Sequence, residues 1–509
     1  MDALVVSGYT FVCSDESESE DRMQVFITGA TGFVGRALVL RLLRDGHQLS
    51  AWTRDGARAR DLLGPDVEVA CDADGDSFED CVARADAVVH LAGENLFSGR
   101  WSGARKRRIE GSRVAGARRI TEALEAAPQR ARVFLSASAV GFFGDRGDER
   151  LDERSAQGSG FLADLCGRWE AEALAAAGPE TRVAVVRLGL VFGSEGGAMS
   201  RLLPLFRAGV GGRLGAGNQW TSWVHLHDLV NLLVEALTAE RYEGVLHAVA
   251  PEPLTNRDLT AALAGALGRR AGPPLPGWVL KTVLGEAASV LLGGQRVLPT
   301  DTTSYGFTFC YPDIASALGQ ILDESRKPTI RRTGPGIRPM PGRAAASHVL
   351  EQETWIQASL DDVFPFFSRA ANLALLTPTW TDFRILEHPT EETTKGSEIV
   401  YRLKLFGVPI RWRTRIARWS PGQGFVDTQL SGPYRLWWHE HEFESLDDGS
   451  VQMVDRVFYR VPFGPIGSIA NKVMVEPLLR RIFAWRAEAI RLRFDPRADG
   501  PVGVGRRAA

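Results

Sequence analysis

At 509 residues the chain is too long for one small domain and can bury two or three cores. Charged residues make up 24% yet nearly cancel to a formal net charge of -2, so no global field recruits nucleic acid or an anionic membrane, and neither is expected as a partner. The five cysteines (Cys13, Cys71, Cys81, Cys166, Cys310) are odd in number and show no CxxC pairing, which argues against a disulfide framework or zinc site and fits a reducing cytoplasm.

The first residues, MDALVVSGYTFVC, lack a basic start and run into the acidic SDESESEDR, so residues 1–22 are expected to be a disordered tail rather than a secretory signal, with Met23 a candidate natural start. In MQVFITGATGFVG an apolar strand-type run meets a turn with Gly29, Gly32 and Gly35, and the helix-like RALVLRLLRDG follows at once. Glycines let backbone approach a pyrophosphate, and the helix start offers unpaired N–H groups to it. The expected ligand is a dinucleotide, held by Gly29, Thr31, Gly32, Phe33, Val34 and Gly35.

The second strand, HQLSAWTRD, ends at Trp52, Thr53 and Arg54. An acidic residue there would bond the ribose hydroxyls of NAD, whereas Arg54 can pair with a 2′-phosphate and points to NADP (NADPH). Arg58 can add to that pocket, Asp55 has the wrong sign beside it, and a solvated surface arginine is the alternative. The next strand, ADAVVHLAG, stops at Ala92 and Gly93, small residues against which a cofactor can lie. A basic helix follows from Trp101 to about Leu124, its Arg105–Arg108 cluster read as a solvated face. ARVFLSASAVGFFGD then brings Ser136 and Ser138 to a strand's carboxyl end, where open parallel sheets place ligands.

TGATGFVG, VVHLAG, SASAVGFFG, FLADLCGRWEAEA, RLGLVFG and WTSWVHLHDLV together resemble an extended short-chain dehydrogenase/reductase of the NAD-dependent epimerase/dehydratase type, in its atypical epimerase-like subgroup, over about Met23 to Leu322. The resemblance implies an α/β Rossmann-type, doubly wound parallel sheet over residues 23–271 and a small helical C-terminal domain of unknown function over residues 272–322. It also places Leu188, at the turn before Val191, beside the nicotinamide, and aligns Ser138 with the family's catalytic serine. Members of the family usually carry a Tyr, then a Lys and a Glu at successive intervals of four on one helix face. Counting back from Glu170, the Lys position falls on Cys166 and the Tyr position on Leu162, so the usual phenol and ammonium are both missing. The catalytic candidates left are Ser138 and Cys166, with Asp164 and Glu94 as other proton carriers; a buried cysteine acting only as a small hydrophobe is the alternative.

In GNQWTSWVHLHDLV, Trp220, Trp223 and His225 are candidates for the substrate side, or for the core, and Asp228 is placed to cap a helix start. The stretch from Trp278 to Leu292, broken by Lys281, Glu286 and glycines, reads as an amphipathic helix rather than a membrane span. Residues 323–346 are rich in Pro, Gly and Arg and are expected to be a linker.

From His348 a strand, short helices, several strand-like runs and a long helix from about Ile466 to Phe494 follow, with an apolar face including Ile469, Val473, Leu479 and Trp485 and a kink at Pro477. That order resembles the START-like or polyketide-cyclase-like helix-grip fold (SRPBCC), expected over residues 347–495 with a disordered tail at 496–509. The resemblance implies a second, α+β domain with a cavity for a lipophilic ligand, for which Trp412, Trp419, Trp437, Trp438, Phe443 and Phe458 are candidate lining. His439 and His441 share a face, but no third ligand at suitable spacing is evident, so no metal is expected. The combined expectation is an NADP-dependent epimerase-like oxidoreductase without the usual Tyr/Lys pair, joined to a lipophilic-ligand domain; the alternative is a non-catalytic NADP-binding sensor or scaffold.

Overall fold

The structure, a computed structural model, describes residues 22–494 apart from 97–98, 194–195, 323–327, 334–336, 338, 340–344 and 389–392. Nearly all of both expected tails, and much of the expected linker, lie outside the described residues.

The first half is built on a seven-stranded, wholly parallel sheet. Its order across the sheet is Gly244–Ala248, Arg182–Leu188, Val133–Ala139, Ala87–His90, Gln24–Thr28, Gln48–Trp52 and Val67–Ala70. The central strands read as continuous apolar runs because helices cover both faces: Val25, Phe26, Ile27, Val88, Val89, Phe134 and Leu135 are all fully buried. The chain departs from Gln24–Thr28 in both directions across the sheet, which puts the topological switch point, where such sheets bind ligands, between it and Ala87–His90. The small region after residue 272 packs alongside: Arg296–Val297 pairs with Arg150–Leu151, and the helix Ile314–Ile321 lies against Asn256–Ala266.

The second half is an eight-stranded antiparallel sheet in the order Thr329–Arg332, His348–Ile356, Val451–Arg460, Leu436–Ser445, Gly424–Ser431, Val408–Ser420, Glu398–Leu405, Arg384–Glu387. Alternation is clean in Val451–Arg460, where every second side chain is buried. Thr329–Arg332 lies within the expected linker. As an edge strand it pairs the backbone groups that face His348–Glu351, and Arg331 pairs with Glu351 at 2.8 Å, a pairing that composition alone does not reveal.

Trp412, Trp437 and Phe443 turn to the buried face, and a bulge between Ile416 and Arg418 lets Trp419 pack with Phe364 at 5.5 Å and Phe425 at 5.4 Å. Trp438 and Phe458, two of the expected lining residues, instead face each other across strands on the opposite, half-buried side.

The closing helix has three parts: Gly464–Ala470, a π-helical turn Asn471–Val475, and Glu476–Phe494. Pro477 has no N–H to give to the carbonyl of Val473, and the widened turn absorbs that missing bond. Only the last part is a core helix, through Leu479, Phe483, Trp485, Ala489 and Ile490; Ile469 and Val473, expected on the apolar face, are 68% and 69% exposed.

The two halves meet along the first helix, Phe33–Arg44, and Glu476–Phe494. Arg36, on that first helix, is 1% exposed. Its guanidinium donates to the carbonyls of Ala374 and Leu375 at 3.1 Å and of Thr377 at 3.3 Å, and sits 5.0 Å over the Trp485 ring. Burial pushes its pKa down only to about 10, so it stays charged. All three carbonyls lie on one terminal nitrogen with two hydrogens, so at about 1.5–3 kcal/mol for a bond from a charged donor they offset only part of the cost of removing this cation from water; Nε and the other terminal nitrogen are buried without a hydrogen bond among the described residues. Arg369 pairs with Asp66 at 3.0 Å across the same contact. Among the described residues no helix is long and apolar enough to cross a membrane.

Candidate functional site

The turn after Gln24–Thr28 is closed by atoms that leave no room for side chains. Gly29 adopts φ +83°, and a Cβ there would lie 2.6 Å from the backbone N of Ala92 and the carbonyl carbon of Leu91. A Cβ on Gly35 would sit 2.2 Å from the Gly29 carbonyl oxygen. Gly32, by contrast, is exposed and would meet only that oxygen, at 3.2 Å. It forms the N-cap of Phe33–Arg44 with no capping side chain and no acidic residue in the first turn, which leaves that turn's N–H groups and the positive dipole end for an anion. Thr31, Phe33 and Val34 are half-buried around it, Ala92 borders the turn from the neighbouring strand's end, and a Cβ on Gly93 next to it would meet the Arg113 guanidinium at 2.9 Å. Leu188 is the half-buried last residue of Arg182–Leu188.

Arg54 follows Gln48–Trp52 and is exposed. The carboxylate of Asp55 accepts the Arg58 N–H at 3.0 Å, capping the helix Gly56–Leu63.

On the helix Phe161–Leu174, Leu162, Cys166 and Glu170 follow one another along one face. The Ser138 hydroxyl donates to Glu170 Oε1 at 2.5 Å, and Arg187 grips the same carboxylate with two bonds of 2.9 and 2.8 Å. These three groups are buried, and Arg187 also lies 3.6 Å over the Phe142 ring. Cys166 is 3% exposed; burial, with Glu170 next, pushes its thiol up to about 12. Both Leu162 and the Cys166 sulfur border Gly141.

Ser136 is fully buried, its hydroxyl on the Ala137 carbonyl at 3.2 Å; Asp164 is exposed, and Glu94 pairs with Arg105 at 3.4 Å. Trp220 is half-buried, donates to Asp148 at 2.7 Å and carries Arg296 over its ring at 4.3 Å. Trp223 is a core residue stacked on Phe192 at 5.3 Å, its N–H on the Glu252 carbonyl. His225, not Asp228, caps the helix Leu226–Thr238 by accepting the His227 N–H, and its Nε2 is 3.0 Å from Gln320. Asp228 instead accepts the backbone N–H groups of Cys310 and Tyr311 at 2.8 and 3.0 Å, which ties the small C-terminal region to that helix; burial raises its pKa to about 6.

Arg187 is the group that reading the sequence missed. Its signal was a charge between the apolar runs VAVV and LGLVFG, five residues after Arg182 at the strand start. In the antiparallel sheet, Asp427 supplies the third group near His439 and His441 that spacing did not reveal, 3.2 Å from each ring.

Residues 25–246 match the NAD dependent epimerase/dehydratase family and residues 275–321 a domain of unknown function, DUF1731; neither match extends past residue 321. The epimerase family protein SDR39U1 homolog, chloroplastic, of Arabidopsis thaliana is 40% identical over 317 residues, covering 62% of this chain and 90% of that protein. The human epimerase family protein SDR39U1 is 36% identical over 307 residues, 59% of this chain and all (100%) of that one. A crystal structure of the human protein, isoform 2, with NADPH superposes with a TM-score of 0.54 at 34% identity, covering 59% of this chain and 100% of that chain.

Proposed function

We propose, since the chain belongs to the NAD dependent epimerase/dehydratase family, that its parallel-sheet half binds NADPH and reduces a carbonyl substrate without the family's usual Tyr/Lys pair. The observation that carries the reading is the turn itself, closed at Gly29 and Gly35, open at Gly32, and facing an uncapped helix end. The human relative crystallised with NADPH supports the choice of cofactor.

On this reading the N–H groups of Phe33 and Val34 hold the pyrophosphate over the open face at Gly32, whose own N–H is bonded to the Gly29 carbonyl at 3.0 Å; Thr31, Ala92, Gly93 and Leu188 border the cofactor, and Arg54 takes the 2′-phosphate. Replacing Arg54 with Asp is expected to weaken NADPH binding tenfold or more while leaving or improving NADH binding, read by titrating both against the purified chain; unchanged NADPH preference refutes the assignment.

Bound NADPH supplies a hydride. Cys166 keeps its thiol proton because burial holds its pKa near 12, and that proton goes to the oxygen of the reduced carbonyl; the thiolate regains one from solvent. Ser138 is a positioning residue, fixed by Glu170 and Arg187 beside the thiol helix. Trp220, half-buried next to Arg296, is the substrate-side residue of this reading. Cys166→Ala is expected to slow NADPH oxidation with a panel of lipophilic carbonyls about 100-fold while leaving NADPH affinity unchanged. The Ser138–Glu170–Arg187 network satisfies itself, and this favours a second reading, a nucleotide-binding sensor or scaffold; NADPH binding without oxidation across the whole panel would select it.

The antiparallel half, with its enclosing sheet and closing helix, is read as a START-like helix-grip (SRPBCC) domain beginning near residue 347 that presents a lipophilic ligand. Among the described residues Cys71, Cys81, Cys166 and Cys310 are buried and outside any disulfide, which supports a reducing compartment such as the cytoplasm, although the Arabidopsis relative is chloroplastic.

A further inference from the structure

A second polar constellation lies inside the antiparallel sheet, on three neighbouring strands. His439 and His441, two residues apart on Leu436–Ser445, share its buried face. The register sets Asp427 of Gly424–Ser431 opposite His439, and Asp455 of Val451–Arg460 opposite His441. His439, His441 and Asp455 are 5%, 3% and 1% exposed.

Each ring presents one nitrogen to each carboxylate. On one side, His439 Nε2 and His441 Nδ1 lie 3.1 and 2.7 Å from the same oxygen of Asp455. On the other, His439 Nδ1 and His441 Nε2 each lie 3.2 Å from Oδ2 of Asp427. Arg486 completes the set, its Nε 3.4 Å from the second Asp455 oxygen and its terminal nitrogen 3.3 Å from His441 Nδ1, while Thr414 donates to the second Asp427 oxygen at 3.1 Å.

A neutral imidazole has one N–H and one lone pair. With His439 Nε2–H on Asp455, His441 Nε2–H on Asp427 and Arg486 donating to His441 Nδ1, the only acceptors left facing each other are His439 Nδ1 and Asp427 Oδ2, 3.2 Å apart. Either a proton on that nitrogen or a metal ion shared by His439 Nδ1, His441 Nε2 and Asp427 resolves the contact, and the geometry suits the second. The 3.2 Å nitrogen-to-oxygen separations are close to the edge, about 3.4 Å, of a tetrahedron with metal–ligand bonds of about 2.0–2.1 Å. Asp455 then has the role that outer carboxylates play at such sites, accepting the N–H of each ligating ring and fixing its orientation, and Arg486 balances its charge.

We propose that Asp427, His439 and His441 bind one zinc-type divalent transition-metal ion, with Asp455 orienting both imidazoles. Three protein ligands leave a fourth position for water or for a polar oxygen of a molecule held by the sheet.

The test uses the full-length chain, stripped with a chelator, reloaded with zinc and dialysed, with metal counted by mass spectrometry. About one zinc per chain is expected, and cobalt in its place is expected to give the visible absorption of a tetrahedral site. Asp427→Asn and His439→Gln are each expected to weaken zinc binding at least tenfold, with circular dichroism and NADPH titration reporting that the fold is retained. Zinc at buffer level after reloading, or undiminished retention in both variants, overturns the proposal. Should a variant fail to fold, the cobalt spectrum of the unaltered chain decides: no tetrahedral bands means no such site.

Discussion

Replacing Arg187 with Met is expected to lower stability by about 3–5 kcal/mol, the usual cost of leaving a buried charge without its partner. Arg187 and Glu170 have side chains only 4% and 5% exposed, and among the described residues their two bonds of 2.9 and 2.8 Å are the only ion pair on that carboxylate. Removing the guanidinium leaves Glu170 with the Ser138 hydroxyl alone, which cannot balance a full charge in a site shielded from water. The double variant Glu170→Leu/Arg187→Met removes both charges and is expected to recover most of the loss, because apolar replacements of a whole buried pair are often neutral or better. Urea midpoints followed by tryptophan fluorescence measure both. A loss below about 1 kcal/mol in the single variant would mean that water reaches Glu170 and that the network does not organise the site.

Gly29→Ala is expected to remove NADPH binding and to destabilise the parallel-sheet half by about 2–4 kcal/mol, from left-handed backbone strain plus overpacking. The φ of +83° suits glycine, and the atoms that a Cβ would strike at 2.6 Å are the backbone of Leu91 and Ala92, which cannot rotate aside. Gly32→Ala is the informative partner. Its Cβ meets one oxygen at 3.2 Å and otherwise enters the space over the helix end, so stability should fall by only about 1 kcal/mol while NADPH affinity drops. Equal losses of stability in the two variants would show that the open face at Gly32 is structural rather than a phosphate seat.

Much of this site could be read along the chain. A strand of Val25, Phe26 and Ile27 running into GATGFVG and then a helix needs only local rules, because turn glycines and the apolar run lie within a dozen residues of one another. The helix face Leu162, Cys166, Glu170 follows from a period of four. The strands from His348 to Arg460 were likewise legible from alternation. Helix capping was less so: Asp228 has the right chemistry for a cap, but its carboxylate is claimed by Cys310 and Tyr311, more than eighty residues later, and His225 takes the local task.

What the sequence determined by itself was therefore what neighbours within a few residues decide: the cofactor turn, the elements of both sheets, and the absence of Tyr and Lys from one helix face. Tertiary structure alone decided which distant charges meet. Arg187 reaches Glu170 through strand placement, Arg36 is taken up by carbonyls more than three hundred residues away, and Asp427 stands beside His439 and His441 because antiparallel register joins positions twelve or more apart. Local propensity acts through short-range backbone geometry, whereas a buried charge is placed by whatever partner the folded chain brings within a few ångströms of it, and no spacing along the sequence encodes that partner.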